Sequence, residues 1–372
     1  MTASPGMQAA LDAAAAIRGT TSPNPWVGAA VVRDGALVAT GATEPPPGRH
    51  AERVALDRAG EAARGASLYC TLEPCVPFAG KRTPPCSQAI VAAGITRVVL
   101  ALEDVDPRVS GAGIGLLRDA GVEIVAGDGA VEAADQLRPY IKHRTTGEPY
   151  VIAKFAASLD GRIATVAGDS HWITGEAARA RVHEERARVD AIIVGSGTVL
   201  ADDPALTARP GGAVAARQPL RVILDGRGRT PANAAVFRQP GRTVVWTGDA
   251  SGPGWRAAVV AAGAEVVAGE PGGGGVNLRQ VMQALGRRGV LTAWVEGGAA
   301  VLGSVFEQEI ADELQAFIAP KLIGGDGTPA VGAFGIAAVA EAVQLREISV
   351  ERLGDDVLVR GFAGGWRLPR FE

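Results

Sequence analysis

Apolar positions along the chain fall into two successive series of short runs and helix-period segments, with a break near residues 145–149. In the first series, an alanine-rich stretch at 8–18 has helical spacing and leads through Thr21-Ser22-Pro23-Asn24-Pro25 into an apolar run at 27–33. Asp34-Gly35 is a two-residue hairpin signal, so the chain should return as a strand at 36–41. After a proline-rich loop at 44–49, the pattern predicts a helix from His50 to about residue 63 and a strand at 67–72. A long loop, a helix at 86–93, a strand at 97–102, a helix at 113–120 and a strand at 122–125 follow. Such alternation implies a three-layer α/β arrangement.

At Thr145-Thr146-Gly147-Glu148-Pro149 the pattern resets and a fresh strand begins at Tyr150. Strands are expected at 150–155, 191–194, 221–224, 243–246, 265–267, 292–295, 314–318 and 357–362. Helical segments separate several of them, which favours a mainly parallel sheet with crossover helices. The domains are therefore drawn as 1–146 and 147–372. The glycine run at 272–275 reads as a flexible turn, because no strand feeds directly into it. No repeat links the two halves.

Composition narrows the class. A chain of 372 residues is long for one core and suits two domains. A net charge of -3 without a basic stripe argues against a nucleic-acid partner. No apolar run approaches the ~20 residues of a membrane helix, and residues 1–19 lack the basic and apolar regions of a signal peptide. A cytoplasmic protein with no membrane partner is expected. Lysine occurs only at Lys81, Lys142, Lys154 and Lys321, which singles those four out from the many arginines. The three cysteines, Cys70, Cys75 and Cys86, are too few and too uneven for a disulfide framework and leave metal binding or catalysis open.

The strongest chemical signal is His50-Ala51-Glu52, followed by Thr71-Leu72-Glu73-Pro74-Cys75 and then Cys86. A hydrolytic zinc site takes three protein ligands and keeps a position for water, whose pKa the metal lowers toward ~7. One histidine and two thiolates supply that set. A nearby carboxylate must carry a proton to the leaving ammonia, and in zinc deaminases it sits two residues after the histidine without binding the metal. Glu52 fits that catalytic role, with His50, Cys75 and Cys86 as metal ligands. Cys75 follows a strand end and Cys86 opens a predicted helix, whose dipole and free N–H groups favour a thiolate. Cys70 lies inside a strand and reads as a packed core thiol. Each piece alone has an ordinary reading, a capping histidine or a buried thiol; their order within an α/β pattern is what points to a deaminase. The general signature leaves two residues between its cysteines, whereas ten lie between Cys75 and Cys86, which indicates a subfamily.

With these residues in view, the chain resembles the bifunctional riboflavin biosynthesis deaminase–reductase family. The resemblance rests on Asn24-Pro25-Trp26-Val27-Gly28, His50-Ala51-Glu52, Thr71 to Cys75 and Arg82-Thr83-Pro84-Pro85-Cys86 in the first half. In the second half it rests on Ala157-Ser158-Leu159-Asp160-Gly161-Arg162, Trp172-Ile173-Thr174, Val199 to Pro204 with Leu206-Thr207, and Val295-Glu296-Gly297-Gly298. These segments run in order through both halves. The resemblance implies a cytidine-deaminase-like domain followed by a dihydrofolate-reductase-like domain. It implies zinc-dependent deamination of a diaminopyrimidinone ribosylamine 5′-phosphate and NADPH-dependent reduction of its ribosyl to a ribityl group. A homodimer through the reductase domain is the corresponding expectation.

Residue by residue, the resemblance places Asn24 against the pyrimidine or ribose, although an asparagine between prolines is also a good turn residue. The loop after Cys75, Val76-Pro77-Phe78-Ala79-Gly80-Lys81, is longer than the family's and lacks its histidine, so contacts made from it are open; Lys81 could reach the phosphate or base edge. In the reductase half no Gly-x-Gly-x-x-Gly follows the first strand. Two other glycine turns, Gly195-Ser196-Gly197-Thr198 and Glu296-Gly297-Gly298-Ala299, can cradle phosphates with backbone N–H groups. Ala156, Trp172, Thr198, Asp202 and the run Gly298, Ala299, Ala300, Val301, Leu302, Gly303 and Ser304 would line the NADPH site. Lys154, Ser170, Arg186, Leu206, Arg209 and Glu296 would face the substrate, the arginines suiting its phosphate. Asp160 is a turn former in the bland reading. No single essential acid is named in this half, since the cofactor carries the hydride chemistry. Three alternatives remain: a related aminopyrimidine substrate, a reductase with a decayed deaminase, and a zinc-stabilised binding protein that would hold zinc without turnover.

Overall fold

The computed structural model describes residues 2–77, 84–269, 275–364 and 366–369. The chain divides into two compact units, the first formed by Met1–Gly147 with Leu368–Glu372 and the second by Glu148–Arg367.

In the first unit the order is α1 (Pro5–Ala16), β1 (Gly28–Arg33), β2 (Ala36–Ala42), α2 (Ala51–Ala59), β3 (Ser67–Cys70), α3 (Cys86–Ala92), β4 (Arg97–Leu100), α4 (Ala112–Asp119), β5 (Glu123–Ala126), α5 (Ala130–Gln136) and α6 (Arg138–Thr146). Its five strands run β2-β1-β3-β4-β5. β1 is antiparallel to both β2 and β3, whereas β3, β4 and β5 are parallel. The hairpin forms at Asp34 and Gly35, both with positive φ (51° and 79°), as its turn type requires. α2 lies close on β2 because Gly41 has no side chain: a Cβ there would stand 2.3 Å from the Ala51 carbonyl oxygen. That contact seats the start of the helix that follows His50.

The expected elements of this unit are present with shifted bounds: α1 covers Pro5–Ala16 instead of 8–18, and β4 ends at Leu100 instead of 102. The helix starting after His50 stops at Ala59 and closes in a 3-10 turn at Gly60–Ala63, where Gly60 takes φ 53°. The strand expected to reach residue 72 ends at Cys70, because Thr71 turns its amide and hydroxyl to the Gly28 backbone. α5 and α6 were not foreseen.

In the second unit the order is β6 (Tyr150–Ser158), β7 (Arg162–Ala164), α7 (Glu176–Arg188), β8 (Ala191–Gly195), α8 (Ser196–Asp202), β9 (Leu220–Leu224), β10 (Thr243–Thr247), α9 (Pro253–Ala261), β11 (Glu265–Ala268), α10 (Leu278–Arg287), β12 (Thr292–Gly297), α11 (Ala299–Glu307), β13 (Glu313–Ala319), β14 (Thr328–Pro329), β15 (Arg346–Leu353) and β16 (Asp356–Phe362). Nine strands form one sheet in the order β11-β10-β9-β8-β12-β6-β13-β16-β15, and β7 pairs with β14 separately. The sheet is parallel from β11 to β13 and antiparallel at β13-β16-β15. Neighbouring residues of the parallel strands fall into two different cores. Ile193, Val222, Val244 and Val295 pack with Val281, Leu285 and Val305, while Ile192, Ile223, Val245 and Trp294 pack with Ala178 and Val259. Burial on both faces is what makes these strands read as continuous apolar runs. The expected glycine turn at 272–275 lies outside the described residues except for Gly275.

Candidate functional site

His50 is the N-cap residue of α2, in extended conformation, so its ring projects from the helix start. Cys86 is the first residue of α3, and Cys75 lies on the arm leaving β3. The His50 Nδ1 is 3.4 Å from Cys75 Sγ and 3.5 Å from Cys86 Sγ. The three ligand atoms lie within 4.8 Å of one another and, among the described residues, form the cluster able to hold a metal. Bond lengths of about 2.0–2.1 Å for Zn–N and 2.3 Å for Zn–S put tetrahedral ligand atoms about 3.5–3.8 Å apart, so the donor set fits zinc. Cys75 is additionally fixed by α3: the Cys86 amide donates to its sulfur at 3.4 Å, and the Ser87 amide and hydroxyl donate to its carbonyl at 3.2 and 3.1 Å. A thiolate at a helix start beside such donors is favoured.

Glu52 sits in the first turn of α2 and is only 3% exposed. Burial, reinforced by the Cys75 charge, raises its carboxyl to about 6, with His50 and a hydrogen bond to Cys86 opposing. A carboxyl poised there can both take and give a proton near neutral pH. Cys70 is fully buried, burial pushes its thiol well up, and it stays outside the cluster, as a core residue should. Asn24 is half-buried in the loop before β1, where its amide donates to Thr21 O and its carbonyl accepts from the Thr21 hydroxyl. Lys81 lies outside the described residues.

One residue of the cysteine motif does more than the motif suggested. Glu73 is buried, and its carboxylate accepts from four backbone amides, those of Asp104, Gly111, Gly113 and Ile114. Nothing in its local sequence marks this, because its partners are supplied from beyond β4.

In the second unit, Lys154, Arg186, Arg209 and Glu296 of the substrate-side candidates converge, whereas Ser170 pairs with Asp202 of the cofactor-side set. Arg186 of α7 and Glu296 of β12 form a two-point ion pair, with side chains 13% and 7% exposed. Arg186 also donates to the Thr207 carbonyl at 3.2 Å. Lys154 of β6 lies over the Phe317 ring at 5.8 Å; burial lowers its ammonium, with Glu296 opposing that shift and Arg186 adding to it. Burial pushes the Glu296 carboxyl up, yet Arg186 and Lys154 outweigh it and leave the group below its ordinary range. His183, not foreseen, joins the cluster: its Nδ1 is 3.2 Å from the Thr207 carbonyl and its Nε2 is 3.5 Å from Arg209 Nη2. Burial, then the charges of Arg186 and Arg209, lower the His183 imidazole. Leu206 is buried beside these residues at φ 49°, whereas Arg209 is exposed.

The cofactor-side candidates gather mainly at the C-terminal ends of β8 and β12. α11 begins at Gly298 without a side-chain cap, leaving first-turn N–H groups for an anion. A Cβ on Gly298 would stand 3.3 Å from Thr198 Oγ1, so the two glycine turns face each other. Of the run starting there, Leu302 and Gly303 are buried in the core, while residues 298–301 and Ser304 are at least partly open. Ala156 is half-buried on β6. Ser170 donates to Asp202 at 2.9 Å, and exposed Trp172 is flanked by Arg179 at 4.8 Å, with Lys321 donating to its carbonyl at 2.7 Å. Asp160 does more than the expected turn former: besides the local Ser158 hydroxyl it accepts the Ile323 and Gly324 amides from a distant segment, and the Ser158 hydrogen bond leads the contacts that lower its carboxyl to about 2.

Comparison with known proteins agrees with this geometry. The cytidine and deoxycytidylate deaminase zinc-binding region matches residues 2–102, and the RibD C-terminal domain matches residues 149–359. The chain is 38% identical over 354 residues to riboflavin biosynthesis protein RibD of Aquifex aeolicus, covering 95% of this chain and 96% of that one. It is 37% identical over 363 residues to RibD of Escherichia coli, covering 94% and 96%. Among solved structures, Acinetobacter baumannii RibD superposes with a TM-score of 0.86 at 35% identity, over 97% of this chain and 98% of that one. The diaminohydroxyphosphoribosylaminopyrimidine deaminase/5-amino-6-(5-phosphoribosylamino)uracil reductase of Thermotoga maritima gives 0.84 at 32%, over 97% and 98%.

Proposed function

Because the chain belongs to the RibD family of bifunctional riboflavin biosynthesis enzymes, we propose that residues 1–146 carry its deaminase and residues 147–372 its reductase. The protein is a zinc-dependent deaminase and NADPH-dependent reductase of riboflavin biosynthesis, with a cytidine-deaminase-like fold before a dihydrofolate-reductase-like one. It replaces the 2-amino group of the diaminopyrimidinone ribosylamine 5′-phosphate by oxygen, releasing ammonia, and then reduces the ribosyl to a ribityl group.

For the first reaction, His50, Cys75 and Cys86 hold the zinc ion. When bound, the metal supplies Lewis acidity that activates water at neutral pH. Glu52, buried in the first turn of the helix that follows His50, would take a proton from the attacking water and deliver it to the departing nitrogen. The single observation that carries this reading is the convergence of His50, Cys75 and Cys86 from three separate elements on one point. Asn24 orients the pyrimidine or ribose and Lys81 the phosphate or base edge.

For the second, a bound NADPH would supply the hydride for reduction of the ribosyl group. The N-terminus of α11 and Thr198 would take its phosphates, with Ala156, Trp172, Asp202, residues 298–301 and Ser304 completing its site, while Leu302 and Gly303, buried in the core, are left out of it. Lys154, Ser170, Leu206 and Glu296 face the substrate. Arg186 is largely engaged by Glu296 and Thr207, which leaves exposed Arg209 as the freer anchor for the 5′-phosphate.

A homodimer through the reductase is part of the same proposal. β15 is an edge strand exposed over nearly its whole length, with Ile348 and Val350 at 60% and 68% exposure, and such edges favour pairing. No helix among the described residues is long and apolar enough to cross a membrane. A cytoplasmic location belongs to the same proposal and is supported by the phosphorylated substrate and the NADPH requirement.

Mass spectrometry of the products, with zinc-loaded protein and the diaminopyrimidine substrate, tests the assignment. An amino-to-oxygen change without NADPH, then a gain of two hydrogens with it, is the expected result. Reduction of only the deaminated compound would remove the deaminase reading, and no change in either would remove both.

A further inference from the structure

Three ligands and one proton carrier do not by themselves fix where Cys75 stands. The arm that carries it, 71–75, leaves β3 and crosses to the start of α3 without regular structure. Thr71 ties its beginning to Gly28, and the Glu73 amide donates to Leu102 O at 2.8 Å. The Glu73 side chain then turns inward. One carboxylate oxygen accepts from Asp104 and Gly111 at 3.1 and 3.0 Å, and the other accepts from Gly113 and Ile114 at 2.8 and 3.1 Å.

Two of those donors are first-turn amides of α4, whose own N-cap residue, Gly111, has no side chain to cap it. Glu73 is thus a helix cap supplied from 38 residues upstream, and a carboxylate is the group that a helix N-terminus prefers. The next residue closes the contact: a Cβ on Gly113 would stand 2.1 Å from the Pro74 carbonyl oxygen. The α4 backbone therefore presses directly on the peptide that precedes Cys75. On its other side Cys75 is held by Cys86 and Ser87 of α3. The ligand stands between two helix starts, and Glu73 locks one of them in place.

We propose that Glu73 is a positioning residue for the zinc site, which fastens α4 against Pro74 and so sets where the Cys75 sulfur stands relative to His50 and Cys86. This rests on the zinc reading of that cluster. Partners outside the ligand set that orient a ligand typically change metal affinity by ~10–100-fold when removed. Glu73→Gln is nearly isosteric, but it replaces one acceptor oxygen with an NH2 group facing two backbone donors. Gly113→Ala keeps the Glu73 carboxylate but pushes on the Pro74 carbonyl oxygen at 2.1 Å, and more lightly on Glu73 Oε1 and Cγ at 3.0 and 3.1 Å.

The test uses the full chain, with zinc affinity measured against a chromophoric chelator and the visible absorption of the cobalt(II)-substituted protein. Cys86→Ala serves as control. If neither wild type nor Cys86→Ala binds metal, the zinc reading itself fails, which is a distinct result. With wild type binding and Cys86→Ala not, Glu73→Gln should weaken zinc at least tenfold and shift the cobalt bands. Glu73→Asp should recover part of both effects, Gly113→Ala should shift the bands in its own right, and reduction of the deaminated substrate should be unchanged throughout. A merely structural role would lower thermal stability and leave the cobalt bands of the folded variant at their wild-type positions. That outcome in Glu73→Gln overturns the proposal. Where Glu73→Gln does not fold, unshifted bands in both Gly113→Ala and Glu73→Asp overturn it equally.

Discussion

Arg186 and Glu296 meet as a two-point ion pair, Nε to Oε1 and Nη2 to Oε2, each at 2.7 Å, with Lys154 as a second cation acting on the same carboxylate. The pair is mostly shielded from water, so removing one partner strands the other.

Glu296→Gln should therefore lower reductase kcat/KM by roughly 30-fold or more. That corresponds to the ~2 kcal/mol at the lower end of the cost of breaking one partner of a buried, hydrogen-bonded charge pair. Deaminase turnover should be unchanged, and steady-state kinetics on the two substrates separately check both statements. Arg186→Lys should not rescue the reductase, because an ammonium cannot make both contacts and also reach the Thr207 carbonyl.

Glu52→Gln keeps the size of the side chain and removes the proposed proton carrier. Deaminase kcat should fall by about 10²–10⁴-fold, with zinc content by metal analysis unchanged and reductase activity intact. Equal loss of zinc and activity would show instead that Glu52 serves the metal site structurally.

Zinc removal separates the two chemistries. Dialysis against a strong chelator should abolish deamination and leave reduction of the deaminated substrate at its original rate, since neither the Arg186 cluster nor the α11 start shares a residue with the His50 cluster. Added zinc should restore the first activity. His50→Ala should behave like the chelated protein but resist that restoration.

The cluster of His50, Cys75 and Cys86 was legible in the chain because its chemistry restricts residue type: only a few side chains bind zinc. The parallel strands were legible because burial on both faces makes them apolar throughout. What escaped has the opposite character. β15, with Glu347, Ser349 and Glu351 among its exposed residues, lies at the sheet edge and shows no apolar alternation strong enough to mark it. α6 carries Arg138, Lys142, His143 and Arg144 in nine residues, so its helical period is hidden by charge. Glu73 and His183 owe their roles to partners far away in sequence, Gly113 in one case and Thr207 in the other. Such relationships exist only once the sheet has brought the segments together.

The loop whose amides Glu73 accepts also carries a buried acid sensitive to pH. Asp104 is 6% exposed and accepts the Tyr140 hydroxyl at 2.9 Å. Burial is the leading cause that raises its carboxyl from 3.8 to about 6, against the lowering effect of hydrogen bonds from Asp106 and Tyr140. A carboxyl that holds its proton more tightly when folded stabilises the fold in its neutral form. Its contribution is therefore most favourable at acid pH, declines as pH rises from 3.8 to about 6, and stays at its least favourable above that. The gap corresponds to on the order of 3 kcal/mol between the two limits. Asp104→Asn removes the titration while keeping one acceptor for Tyr140. Denaturant unfolding of the full chain, following the transition of the first unit at pH 5 and pH 7.5, should show a smaller loss of stability in Asp104→Asn than in wild type. Equal losses in the two proteins would mean that Asp104 titrates in the folded chain as it does in the unfolded one, and that the Tyr140 and Asp106 hydrogen bonds offset its burial completely.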